Sequence, residues 1–144
     1  MRLSLLVPPA LVAAIALAGC GSDDGGGGNG SAAAATGKRL AVSASEFAFH
    51  PSTTEVTAGR LTITMKNAGK YDHELVVLKT DAAPDALKVS AGKVSEKDAI
   101  GEISETKGGA SKSATLNLKP GSYVYVCNIP GHYANGMRGR LTVR

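Results

Sequence analysis

Cys127-Asn128-Ile129-Pro130-Gly131-His132-Tyr133-Ala134-Asn135-Gly136-Met137 carries a thiol, an imidazole and a thioether, with four residues between each donor and the next. Pro130-Gly131 and Gly136 suit neither a helix nor a central strand, so the segment is expected to curl into a loop that aims its three donors at one place. Thiolate, imidazole and thioether form a soft donor set suited to copper, and a trigonal His₂Cys site with a long axial Met is that metal's electron-transfer arrangement. One imidazole is missing from the loop. The chain has three histidines, so the remaining ligand has to be His50 or His73.

His50 precedes Pro51 at a turn, which favours an exposed position. His73 opens the run His73-Glu74-Leu75-Val76-Val77-Leu78, where alternation puts His73, Leu75 and Val77 on one face. A histidine in such an apolar row is ordinarily a packed structural residue. Because Cys127, His132 and Met137 leave one position open, His73 is expected to fill it.

The Cys-x₄-His-x₄-Met pattern follows Pro120-Gly121-Ser122-Tyr123-Val124-Tyr125-Val126, and Asn67-Ala68-Gly69-Lys70-Tyr71-Asp72-His73 lies far upstream. In these residues the chain, over about 38–144, resembles the cupredoxins, the type 1 blue copper proteins, with a loop spacing most similar to the rusticyanin and auracyanin members. The resemblance implies a single all-β domain, a Greek-key β-sandwich of about seven to eight strands. It implies one copper ion cycling between Cu(II) and Cu(I), with His73, Cys127, His132 and Met137 as ligands. It implies a face for docking redox partners built from Ile129, Pro130, His132, Tyr133 and Ala134. Members often carry a bracing residue directly after the first histidine; here that position is Glu74, with Asp72 before the histidine and Asn128 after the cysteine.

Strand-like pieces support a β architecture: 39–43, 46–49, 53–57, 61–65, 113–118, 123–127 and 139–143. Leu61, Ile63 and Met65 share an inward face, and so do Tyr123, Tyr125 and Cys127. Tyr123 follows a Pro-Gly turn, the position of a tyrosine corner. Residues 81–111 are harder to read: Ser95-Glu96-Lys97-Asp98 has the form of a helix cap, with irregular surface as the alternative, and Lys107-Gly108-Gly109 signals a turn.

At 144 residues, with 18 glycines and few aromatics, the chain suits one turn-rich domain plus extras. Residues 1–19 place Arg2 before an apolar run too short for a membrane span, as in an export signal. The run ends Leu17-Ala18-Gly19-Cys20, which resembles the bacterial lipobox; an ordinary secretory signal is the alternative. On the lipobox reading Cys20 is acylated, the domain is anchored by lipid to the outer face of the cytoplasmic membrane or in the periplasm, and 20–37 is a flexible tether. Cys127 is then the single thiol of the folded domain, with no disulfide partner. Dispersed charge, net +4, gives no nucleic-acid footprint. The expected partners are an electron donor and an electron acceptor protein, and a monomer is expected.

Four protein donors leave no open position for a substrate, which points to a carrier and not an enzyme. A copper chaperone or storage protein could use the same donors, but would more naturally carry Met-rich or His-rich runs. Structural zinc seldom takes a methionine. A Cys-His nucleophile wants a base and an oxyanion-binding helix terminus, neither of which is visible.

Overall fold

The computed structural model describes residues 38–144; the signal, lipobox and tether lie outside the described residues. Within them the chain is all strand. One sheet holds β1 (Lys38–Ser45), β2 (Ala48–Pro51), β4 (Gly59–Asn67) and β9 (Ser111–Leu118), in the order β2-β1-β4-β9. The other holds β3 (Glu55–Val56), β5 (His73–Lys79), β8 (Ala99–Thr106), β10 (Gly121–Val126) and β11 (Arg138–Val143), in the order β3-β11-β10-β5-β8. A separate hairpin pairs β6 (Val89–Ser90) with β7 (Lys93–Val94). β1 runs parallel to β4 and β3 parallel to β11; the other pairings are antiparallel.

The two sheets face each other across one apolar core. β1 and β4 contribute Leu40, Val42, Leu61, Ile63 and Met65, and the opposite sheet contributes Leu75, Val77, Tyr123, Tyr125 and Leu141. Burying each such side chain stabilises the fold by about 1.5–3 kcal/mol. The tyrosine corner is present, with the Tyr123 hydroxyl donating to the Lys119 carbonyl at 2.8 Å. His50 is exposed on β2 and Met65 is fully buried, as their sequence settings suggested.

Seven strands have six or more residues, in keeping with the expected sandwich; the count reaches eleven through four short pieces. Several readings change: the strand expected at 53–57 shortens to Glu55–Val56, and His50-Pro51, expected at a turn, lies within β2. Glu46-Phe47 forms the turn between β1 and β2, so the strand expected at 46–49 begins at Ala48. Ser95-Glu96-Lys97-Asp98 caps no helix: the Ala99 N–H bonds the Glu96 carbonyl in a turn that starts β8.

The outer face of the five-stranded sheet is apolar as well. Val76, Leu78, Val124 and Val126 alternate with the core-facing residues and pack with Val94, Tyr133 and Leu87 in a second, smaller cluster. A sheet apolar on both sides has to be covered on both. Residues 84–94 supply that cover, and they bring the β6-β7 hairpin against the Cys127–Met137 loop, where Gly131 N–H bonds the Gly92 carbonyl at 3.3 Å.

Candidate metal centre

β10 aims Cys127 inward at its end, β5 begins with His73 beside it, and the chain turns repeatedly from Pro130 to Gly136 before entering β11. Gly131 and Gly136 sit at φ +87° and +105°, a left-handed backbone that glycine adopts without a Cβ clash. The loop is pinned where it opens and closes: Cys127 N–H bonds the Met137 carbonyl at 3.0 Å, and Met137 N–H bonds the His132 carbonyl at 3.1 Å.

That framework brings ligand atoms of His73, Cys127 and His132 within 4.8 Å of one another. The Cys127 sulfur lies 3.3 Å from His132 Nδ1, and the two imidazole centroids are 5.2 Å apart. Cys127 and His73 are fully buried, whereas His132 is partly exposed. Met137, also fully buried, closes the loop beside them. His50 takes no part.

Electrostatics prepare the two imidazoles for a cation. Burial, and then the nearby His132, push the His73 pKa down, and burial does the same to His132, so both rings are held in the neutral form that ligates. Burial pushes the Cys127 thiol up, opposed by backbone N–H groups of Glu74, at 3.4 Å from the sulfur, and Ile129. Both His73 ring nitrogens are buried without a hydrogen-bond partner. Leaving such an atom unpaired costs about 1–3 kcal/mol, a penalty that metal coordination removes. Two nitrogen donors and a buried sulfur suit copper, and the residues present fit one such ion.

The sequence profile of copper-binding proteins of the plastocyanin/azurin family matches residues 37–144. The chain is a cupredoxin. Auracyanin-B of Chloroflexus aurantiacus is 53% identical to it over 36 residues, 24% of this chain and 15% of that protein. Chloroplastic plastocyanin of Pisum sativum is 35% identical over 104 residues, 72% of this chain and 56% of that protein. The cupredoxin thus spans no more than about half the length of these two curated relatives. The dithionite-reduced auracyanin of the photosynthetic bacterium Roseiflexus castenholzii superposes with a TM-score of 0.57 at 25% identity, covering 74% of this chain and 97% of that one.

Around the donors of this cupredoxin, Asn128 is buried and fully engaged. It accepts from Val94 N–H at 2.6 Å and donates to the Val94 carbonyl at 2.9 Å and to Glu96 Oε1 at 2.6 Å. Glu74 contributes its backbone N–H, its half-buried carboxyl being raised by desolvation, while Asp72 pairs at the surface with Lys107 at 3.5 Å. Asn67, fully buried, donates to the Tyr71 and Thr106 carbonyls and accepts from Gly69 N–H, shaping the turn that delivers His73.

One expected surface residue is internal. Tyr133 is 4% exposed; its hydroxyl donates to the Pro84 carbonyl at 2.8 Å and accepts from Leu87 N–H at 3.0 Å. The ring packs in the second cluster because the outer sheet face needs covering, so little of its side chain reaches the surface. Pro130 and Ala134 are exposed, and Ile129 and His132 partly so. The sequence reading missed Phe47, whose ring lies edge-on to His132 with centroids 4.9 Å apart, and Glu46, whose carboxylate stands 3.7 Å from His73 Nε2. No local pattern marks either residue.

Proposed function

We propose that this protein carries single electrons between redox proteins outside the cytoplasm, with His73, Cys127 and His132 around one copper ion and Met137 as a weak axial donor. The convergence of three donors in a largely buried pocket, one of them from a His73 ring that makes no hydrogen bond, carries the reading. Copper supplies the one-electron Cu(II)/Cu(I) couple. The protein supplies a cage that hardly moves: His73 is held at the start of β5, Cys127 at the end of β10, and the loop between Cys127 and Met137 is stapled by its own backbone. Little reorganisation then accompanies electron exchange. A fourth protein donor would leave no site for a substrate, which favours a carrier over an enzyme.

The partly exposed edge of His132, ringed by Ile129, Pro130 and Ala134, is the proposed point of partner docking and electron entry. Cys20 is the proposed lipid attachment site. A lipid there would keep the domain at a membrane surface, where it is proposed to meet its electron donor and acceptor.

Copper-loaded protein tests the reading against a chaperone role. A carrier shows an intense visible thiolate-to-copper band that bleaches with one electron per copper, returns on reoxidation, and survives desalting in both states. Copper lost from the reduced protein would favour delivery or storage instead.

A further inference from the structure

The β1–β2 turn contributes no donor, yet its two residues touch both imidazoles: Phe47 lies edge-on to His132, and Glu46 faces His73. Glu46 is itself fixed in place. Its Oε1 accepts the backbone N–H groups of Lys70 at 2.5 Å and Tyr71 at 2.9 Å, and the first of these closes the turn that ends at His73. Two backbone amides converging on one carboxylate oxygen favour its ionised form. Gly69 passes so close that a Cβ there would collide with the carboxylate. The segment before His73 is therefore held by this side chain as well as by Asn67.

The remaining ring nitrogen of His73 explains why. Ligating histidines ordinarily present their other ring N–H to a carboxylate or carbonyl, which fixes the tautomer and raises the basicity of the ligating nitrogen. Nε2 of His73 faces Glu46 Oε1 at 3.7 Å, just beyond hydrogen-bond length, and makes no hydrogen bond, so a small closing shift would supply its one partner. We propose, building on the copper-carrier reading, that Glu46 is the positioning residue of His73: it orients the ring through Nε2–H, directs Nδ1 to the metal, and lowers the reduction potential by favouring Cu(II) over Cu(I).

Glu46→Gln and Glu46→Ala in the full chain separate the charge from the clamp. The glutamine keeps a carbonyl oxygen for the Lys70 and Tyr71 amides but removes the negative charge; the alanine removes both. With Glu46→Gln, Cu(II) affinity should fall about 10- to 100-fold, the range for partners of ligating histidines. Cu(I) affinity should change less. Each tenfold change in their ratio raises the potential by about 59 mV for a one-electron couple. Amide exchange at Lys70 and Tyr71 in the metal-free protein should stay slow in Glu46→Gln and quicken in Glu46→Ala. A Glu46→Gln protein with the wild-type potential and Cu(II) affinity would overturn the proposal, leaving Glu46 as a loop clamp only. Failure of the wild-type chain to form the thiolate-to-copper band would instead overturn the carrier reading.

Discussion

Asn128→Ala should be among the most damaging single changes near the metal centre that spare the ligands. The Asn128 amide pairs with both backbone polar groups of Val94, a residue only 6% exposed, as a neighbouring strand would. Truncation leaves a buried N–H and a buried carbonyl without partners. Each such group costs about 1–3 kcal/mol, so two give roughly 2–6 kcal/mol. Water reaching the site from the exposed Glu96 side brings the expectation to the lower half, about 2–4 kcal/mol. For a domain near 100 residues this lowers Tm by about 8–32 °C, at about 4–8 °C per kcal/mol. The assay is urea and thermal unfolding of the metal-free protein, wild type against variant, with the urea m-value checked for constancy. Glu96→Gln serves as control; it keeps an acceptor at the exposed end of the network and should cost less than about 1 kcal/mol. An Asn128→Ala loss below about 0.5 kcal/mol would refute the reasoning, because the Val94 groups would then be satisfied some other way.

Two further outcomes are expected. Ala134→Lys puts a charge on the exposed apolar rim of His132, so electron self-exchange between Cu(I) and Cu(II) copies, measured by NMR line broadening, should slow about tenfold through like-charge repulsion of the docking faces. The visible spectrum should not move; an unchanged exchange rate would remove this face from the electron path. The pH dependence follows from His73 and His132, whose folded-state pKa values lie below the ordinary 6.5. Below that value the unfolded chain binds more protons than the folded one, so stability rises with pH there. The contribution of the neutral rings is complete above about pH 6.5 and is lost as pH falls toward the depressed folded values. Unfolding free energies of the metal-free protein between about pH 4 and 8 check the sign.

Much of the sandwich was legible because its inner faces alternate cleanly. Leu61, Ile63 and Met65 on β4, and Tyr123, Tyr125 and Cys127 running off β10, read as inward rows and are. β8 was not legible. It pairs with β5 through register shifts between His73 and Leu75 and between Val77 and Leu78, and such irregularities break the period-two signal at a sheet edge. The cover formed by 84–94 left a different trace: Val76, Leu78, Val124 and Val126 make two strands apolar on both faces, a sign that something must lie over them. Tyr133 packs under that cover, and the expectation that it lies exposed came from reading its neighbours as one exposed loop.

The metal centre divides in the same way. Cys127 and His132 share one loop, so their spacing displays them, and His73 could be reached by counting the donors still needed. Glu46 and Phe47 sit far from every ligand in sequence and approach them only because β1 pairs with β4 and turns back at that point. Their contacts depend on sheet register, and nothing local announces them.

X-ray absorption at the copper edge of the loaded chain tests the central claim most directly. The expected result is one copper per chain with two imidazole nitrogens and one short thiolate sulfur in its inner sphere, the sulfur vanishing in Cys127→Ser and one imidazole vanishing in His73→Ala. An inner sphere of oxygen and nitrogen without sulfur, or one unaltered by His73→Ala, would contradict it.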